Sequence, residues 1–369
     1  MHYWLPIILI CPYLTIILIL FRTLWGIKSF IVEHDPSTFV SIVIACRNEQ
    51  ENLPGLLKSL SMQDYPNKLF EIIIVNDNST DGTISVVHDF SSPENISIIN
   101  NKGTGKKLAI RTGIGISKGN LIVTTDADCK MGKKWLRTIA AFYEKEKSSL
   151  IISPVRIEIM PGFFGIFQSL EFLSLQGITA GSALSGNGTM CNGANLAFEK
   201  HAYLKHSEEL HDEIDTGDDI FLLHSMKKDA GAKISWLESA DVVVSTAPSP
   251  GLKSYFMQRK RWISKAGAYN DIYSITLGIV TFVTILLYTG TLIAGILNSV
   301  FLKVFFLIFI LKSLVDFPIL LNTANRYRDG SLMKWFLPCQ IIYPFYVLVV
   351  SLYSITLKKK TSFPSPTGI

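Results

Sequence analysis

Three apolar runs, each closed by a polar cluster, limit what this chain can fold into. Phe39-Val-Ser-Ile-Val-Ile-Ala45 leads into Arg47–Glu49, Phe70-Glu-Ile-Ile-Ile-Val75 into Asn76–Asp81, and Leu121-Ile-Val-Thr-Thr125 into Asp126–Asp128. Such runs read as strands buried on both faces. Leu53, Leu56, Leu57 and Leu60 have helical spacing, a helix begins near Thr83 with Ser79 or Thr80 as its cap, Ile96–Ile99 is a short strand, and Lys106–Lys118 is again helical. Alternating strand and helix predicts a parallel, doubly wound α/β sheet. Such sheets bind ligands beyond the carboxyl ends of their strands, where all three polar clusters fall.

If the third strand stays extended through its acids, a period of two puts Asp126 and Asp128 on one side. Two carboxylates at a strand end suit a hard divalent cation, Mg2+ or Mn2+, with phosphate oxygens completing its coordination. The same Asp-x-Asp also reads as a solvated turn. Gly103-Thr-Gly-Lys-Lys107 lacks the spacing and the hydroxyl residue of a Walker loop, which excludes that kind of nucleotide site. Lys106 is either a point charge near a diphosphate or a solvated lysine at a helix start.

Further on, Leu150–Val155 reads as another strand, and Phe163–Leu175 as a helix in the core or at a membrane interface. Gly186–Asn195 is a small-residue loop that lets backbone approach a ligand, or an ordinary multi-turn connection. Asp218 and Asp219 open a helix, where the macrodipole favours acids on its own account.

Both ends of the chain are apolar. Trp4–Phe21 is long enough to span a bilayer, and its flanking Arg22 and Lys28 favour a retained anchor over a cleaved signal and place the next domain in the cytoplasm. Ile272–Leu297, Phe301–Leu321 and Trp335–Leu357 are three further spans, the last two joined by the arginine-bearing turn Asn325–Gly330. Counted this way, Lys358–Lys360 falls on the far side, against the positive-inside preference; either the last run is re-entrant or the constraint from the soluble domain overrides the tail. Asp316 lies inside a span, where a charge is costly and often functional, or else faces the bundle or water. The net charge of +5 suits an anionic substrate or lipid headgroups, and no basic tract interleaved with aromatics points to nucleic acid. Five cysteines without pairing or ligand spacing argue against a disulfide framework or a zinc site. The expected layout is an anchor over 1–27, a soluble domain over 38–248, an interfacial segment over 249–271, a membrane bundle over 272–357 and a polar tail over 358–369.

Ser41-Ile-Val-Ile-Ala-Cys-Arg-Asn-Glu49, Ile74-Val-Asn-Asp-Asn-Ser-Thr-Asp-Gly82, Gly105-Lys106 and Thr125-Asp-Ala-Asp128 resemble, in order and spacing, the motifs of the inverting family 2 glycosyltransferases, which have the GT-A fold. Ala45-Cys46 departs from the proline frequent there. Gln258-Arg-Lys-Arg-Trp262 is similar to the Gln-x-x-Arg-Trp of membrane-embedded members such as cellulose, chitin and hyaluronan synthases and ceramide glucosyltransferase. The resemblance implies a Rossmann-like, mostly parallel catalytic domain flanked by one N-terminal and about three C-terminal membrane helices. It implies that Arg47, Glu49, Asp77 and Lys106 lie against a nucleotide-sugar, and that Asp126 and Asp128 hold Mg2+ or Mn2+ on its diphosphate. Asp219 takes the place of the catalytic base, with Asp218 beside it. Asn192 and Gly193 belong to the loop beside acceptor and donor sugar. Trp262 offers a face for a sugar ring, Arg261 a fork for diphosphate and Gln258 an amide for hydroxyls. The segment's basic residues, Lys253, Arg259, Lys260 and Lys265, also suit anionic headgroups.

The function expected is transfer of a sugar from a UDP-sugar to a membrane acceptor with a β-linkage, by a multi-pass protein of a bacterial inner membrane. A lipid acceptor leads, a processive polysaccharide synthase is the alternative, and a non-catalytic scaffold or transporter on the same fold is the third reading.

Overall fold

The computed structural model describes residues 4–90, 95–211, 214 and 216–357. The chain forms two compact units, Ile19–Pro248 with Pro318–Met333, and Met1–Leu18 with Ser249–Phe317 and Lys334–Ile369. In chain order the elements begin α1 (Leu5–Leu24), β1 (Val40–Cys46), α2 (Leu53–Ser61), β2 (Phe70–Asn76), α3 (Thr83–Asp89), β3 (Ile96–Asn100), α4 (Lys106–Ile116) and β4 (Leu121–Thr124). They continue with α5 (Trp135–Glu146), β5 (Leu150–Ile152), β6 (Val155–Ile157), α6 (Phe163–Leu184), β7 (Leu196–Glu199), α7 (Lys200–His206), α8 (Asp218–Met226), β8 (Ile234–Trp236) and β9 (Val244–Thr246). Four helices close the chain: α9 (Leu252–Ser264), α10 (Ile272–Leu297), α11 (Ser299–Arg326) and α12 (Phe336–Leu357).

The larger unit is built on a seven-stranded sheet of order β3-β2-β1-β4-β7-β5-β8. Its neighbours run parallel except β7, which is antiparallel to β4 and β5. Val40 of β1 pairs with Phe70 of β2 on one side and Leu121 of β4 on the other. The winding therefore reverses at β1 and leaves a crevice at the carboxyl ends of β1 and β4. Val40, Ile42, Val43, Ile44, Leu121, Ile122 and Val123 have no exposed surface. Each buried side chain of this kind contributes roughly 1.5–3 kcal/mol, and burial on both faces is why these strands read as unbroken apolar runs. Helix α4 lies so close on the sheet at Gly113 that a Cβ there would stand 2.5 Å from Val43 Cγ1 and 3.0 Å from Val75 Cγ2.

Several local expectations are corrected. Leu150–Val155 is not one strand: β5 stays in the main sheet, whereas β6 pairs with β9 in a separate two-stranded sheet. Pro154 sits at the break and has no N–H to continue a ladder. Helix α3 has Gly82 as its N-cap with no side-chain cap bond, because Ser79 and Thr80 are used elsewhere. Helix α6 runs on to Leu184, and most of it is buried, which selects the core reading.

The end of α11 belongs to the larger unit. Arg326 donates to Leu24 O at 2.8 Å, satisfying a carbonyl at the end of α1, and lies 3.5 Å from Glu238. Arg156 reaches Asp329 at 3.7 Å. The arginine-bearing turn is thus held beside the sheet domain.

Among the described residues, four helices are long and apolar enough to cross a membrane: Leu5–Leu24, Ile272–Leu297, Ser299–Arg326 and Gly330–Ser354. The smaller unit contains most of them. Helix α11 passes through Pro318 to Arg326, beyond the expected end at Leu321. Asp316 faces the bundle: it accepts from Tyr13 Oη at 2.7 Å and Gln340 Nε2 at 2.8 Å and pairs with Lys312. A charge in a span is tolerated when it is paired in this way.

Candidate active site

The carboxyl ends of β1 and β2 are laced to each other. Asn48 and Asn78 both adopt left-handed backbone, at φ 57° each, a conformation asparagine tolerates better than most residues. Asn48 Oδ1 accepts from Thr80 N at 2.8 Å, and Ser79 Oγ accepts from Asn48 N at 3.0 Å. Asp77 is 4% exposed and accepts from Gly105 N at 2.9 Å on each oxygen and from Asn101 Nδ2 at 2.7 Å. Gly105 has φ 105°, which only glycine adopts freely, so this carboxylate holds the turn that launches α4. Arg47 remains exposed on the loop after β1.

The chain does not stay extended after β4. The strand ends at Thr124, and Asp126 O accepts from Cys129 N at 3.1 Å in a turn. The same-side arrangement from strand period therefore does not apply to Asp126 and Asp128. Asp126 pairs with Lys106 Nζ at 2.5 Å, and Asp128 accepts from Thr246 Oγ1 at 2.7 Å. Both carboxylates still share a field with Glu49. Burial raises the Glu49 carboxyl, the Asn52 amide draws it back, and Asp128 and Asp126 push it up again. The same field shows at Cys46, pushed up to about 12 by burial, Glu49 and Asp126, which makes it a poor nucleophile. Oxygen donors crowded by like charge fit Mg2+ or Mn2+. Among the described residues no group of three or more His, Cys, Asp or Glu is gathered for a metal. A cation here would take its remaining oxygens from a diphosphate or from water.

Lys106 ties this corner to the second pair of acids. Burial works against its charge, but Asp126, Asp218 and Asp219 outweigh it and hold the amine above the ordinary lysine range. Asp219 opens α8 and accepts from Gly193 N at 3.0 Å on Oδ2 and from Ile220 N at 2.8 Å on Oδ1. Gly193 O in turn accepts from Thr124 Oγ1 at 2.8 Å, and Asn192 Oδ1 accepts from Ala194 N at 3.0 Å. The next anchor is Asn195, fully buried, which binds Pro154 O, Val242 O and Trp135 Nε1. The loop from Asn192 is thus fixed between the end of β4 and the start of α8. One region of the larger unit brings together Glu49, Lys106, Asp126, Asp128, Gly193, Asp218 and Asp219.

The motif on α9 lies in the smaller unit. Arg261 is exposed there and Trp262 half-exposed. Arg259 is 3% exposed, its guanidinium 4.4 Å from the Tyr255 ring centroid and 4.1 Å from that of Trp262, and it donates to Gln258 Oε1 at 2.5 Å. Arg259 and Lys265, expected among the basic residues that suit anionic headgroups, are instead buried, and Tyr255, Arg259 and Trp262 have the i, i+4, i+7 spacing of one helical face. The sequence reading passed over Thr246 and Asn101, and no local signal marks them.

Residues 41–206 match the family described as Glycosyl transferase family 2. The chain is 28% identical over 185 residues to a poly-beta-1,6-N-acetyl-D-glucosamine synthase of Staphylococcus epidermidis, covering 49% of this chain and 44% of that one. It is 28% identical over 113 residues to a beta-monoglucosyldiacylglycerol synthase of a Nostoc species, covering 30% of this chain and 24% of that one. The matched segments thus span less than half the length of these relatives. Among solved structures, the mannosyltransferase PcManGT of Pyrobaculum calidifontis, solved with GDP-Man and Mn2+, superposes with a TM-score of 0.56 at 17% identity, over 93% of this chain and 98% of that one. The α/β core therefore has the fold of GT-A glycosyltransferases.

Proposed function

We propose that this chain, whose residues 41–206 form a glycosyl transferase family 2 domain, is a membrane-bound inverting glycosyltransferase. It takes a sugar from a UDP-sugar bound at the carboxyl ends of β1, β2 and β4 and passes it to a hydroxyl of a membrane lipid. One observation carries the reading. Asp219, held by the Gly193 amide at 3.0 Å, lies in the field of the same lysine that pairs with Asp126. A proton acceptor and a diphosphate-binding corner are then parts of one site.

In this reading Asp77, Arg47 and Glu49 line the nucleotide. Lys106 exchanges Asp126 for the donor's diphosphate. Asp126 and Asp128 hold Mg2+ or Mn2+, which supplies charge neutralisation for the departing diphosphate. Mn2+ is the first ion to test, because PcManGT, which shares this fold, was solved with it. Asp219 takes the proton of the acceptor hydroxyl as its oxygen attacks the anomeric carbon and the bond to the diphosphate breaks. Asp218 tunes that base. Attack from the face opposite the leaving group turns an α-linked donor into a β-glycoside. Asn192 and Gly193 border the sugars, and Gln258, Arg261 and Trp262 serve acceptor or product.

The four apolar helices support a multi-pass protein, and Arg22 with the turn bearing Arg326 and Arg328 supports a cytoplasmic domain at a bacterial inner membrane. The polysaccharide alternative keeps one support, the match to a polymer synthase over 49% of this chain. The test is purified protein with Mn2+, a panel of sugar nucleotides and membrane lipid extract, read by nucleotide release and product mass. A discrete glycolipid is expected. A high-mass polymer selects the alternative, and no nucleotide release from any donor contradicts both.

A further inference from the structure

We propose that Lys107 is a positioning residue that sets α8, and with it Asp219, against the donor corner. The proposal rests on the transferase reading above for the role of Asp219. Lys107 follows Lys106 on α4 and turns the other way, into the protein, where it is 7% exposed. Its Nζ donates to Leu210 O at 2.6 Å, His211 O at 2.7 Å and Ile214 O at 2.9 Å. It also lies 5.5 Å from the centre of the Phe221 ring on α8. The His211 ring packs on Phe221 at 4.7 Å, completing a contact from α4 through to α8. Arg111, one turn further along α4, donates to Ser207 O at 3.0 Å. Two cations spaced i, i+4 on one helix therefore grip the backbone at Ser207, Leu210, His211 and Ile214, ahead of α8.

The physical case is specific to a lysine. A buried ammonium is costly unless its N–H groups are all used, and a methylene side chain here would leave the three carbonyls short of their donor. Helix α4 is itself pinned to the sheet at Gly113 and launched by the turn that Asp77 holds. A rigid helix thus carries Lys106 toward Asp126 and Lys107 toward α8, so that donor corner and base are registered by adjacent residues. Misplacement of a reacting group by about 1 Å can lower a rate by about 100-fold, which gives such a registry its value.

The test compares Lys107→Met and Phe221→Leu with wild type for kcat, donor KM and UDP-induced thermal shift. Lys107→Met is expected to lower kcat by ~10-fold or more with donor KM held within about threefold, because the base moves and the donor corner does not. Phe221→Leu keeps the ammonium and its carbonyl bonds, is the milder change if Lys107→Met does not fold, and is expected to lower kcat by about threefold or more with the same split. Wild-type kcat in either folded variant, or loss of donor affinity in step with kcat, overturns the proposal. Amide hydrogen exchange over Ile220–Leu223 separates this proposal from the transferase reading. It should quicken in either variant whether or not the protein proves to transfer sugar, and unchanged exchange overturns the clamp alone.

Discussion

The backbone of Gly193 joins the end of a strand to an acid 26 residues further on: its N–H donates to Asp219 at 3.0 Å, and its carbonyl accepts from Thr124 at 2.8 Å. A carboxylate that receives a backbone N–H is oriented as well as stabilised. Replacing Thr124, which is 6% exposed, with valine removes the bond to the carbonyl of that residue. Thr124→Val should cost about 1–3 kcal/mol of stability, because Gly193 O is left short of a donor, and lower kcat by about 3–10-fold. Thermal unfolding and steady-state kinetics check the two parts separately.

Lys106 pairs with Asp126, and Asp218 and Asp219 add to the field that holds its amine above the ordinary lysine range. Lys106→Met removes a positive charge that pairs with Asp126 and can turn to a diphosphate. Donor KM should rise by about 10–100-fold, the range expected when one charged hydrogen bond is lost. A donor titration at saturating acceptor checks it, and an unchanged donor KM would place Lys106 outside the nucleotide-sugar site.

Gly113 sets how closely α4 lies on the sheet. A methyl group there meets Val43 at 2.5 Å and Val75 at 3.0 Å, both on strands that have no slack. Gly113→Ala should therefore destabilise the protein by about 1–3 kcal/mol despite alanine's better helix propensity. The midpoint of thermal unfolding checks this, and a stabilised variant would contradict the packing described.

Glu144 gives a pH dependence outside the site. Burial acts to raise its carboxyl, but hydrogen bonds from Thr38, His34 and Ser37 outweigh that and hold it down at about 2. A carboxyl depressed by folding contributes stability above its ordinary value, and that contribution is lost as pH falls toward 2. Glu144→Gln should lose about 1–2 kcal/mol at neutral pH and lose less further stability than wild type between roughly pH 4.5 and 2, because the share owed to Glu144 is already gone. Denaturant unfolding across that range checks the difference.

Much of this was legible in the chain for a physical reason. Strands buried on both faces must be apolar along their length, and a parallel sheet collects its polar residues at one edge, so β1, β2 and β4 announced the fold and the edge at which a candidate site lies. What stayed hidden depends on partners far apart in sequence. Nothing near Asp128 points to Thr246, and nothing near Lys107 points to Leu210. Leu150–Val155 misled because a chain that changes sheet at Pro154 looks locally like one strand. Period-two reasoning misled at Asp126 and Asp128 because β4 had already ended. At Arg259 the signal was present as helical spacing with Tyr255 and Trp262, and charge alone had grouped it with Lys253, Lys260 and Lys265.

The division of labour between two acids is the central claim, and one paired measurement tests it most directly. Donor binding and sugar transfer would be measured with Mn2+ on wild type, Asp128→Ala and Asp219→Asn in lipid nanodiscs. Asp128→Ala should weaken metal-dependent donor binding. Asp219→Asn should bind UDP-sugar like wild type and lose ~100–10,000-fold in kcat, the usual worth of a general base. An Asp219→Asn protein that transfers sugar at the wild-type rate contradicts the claim.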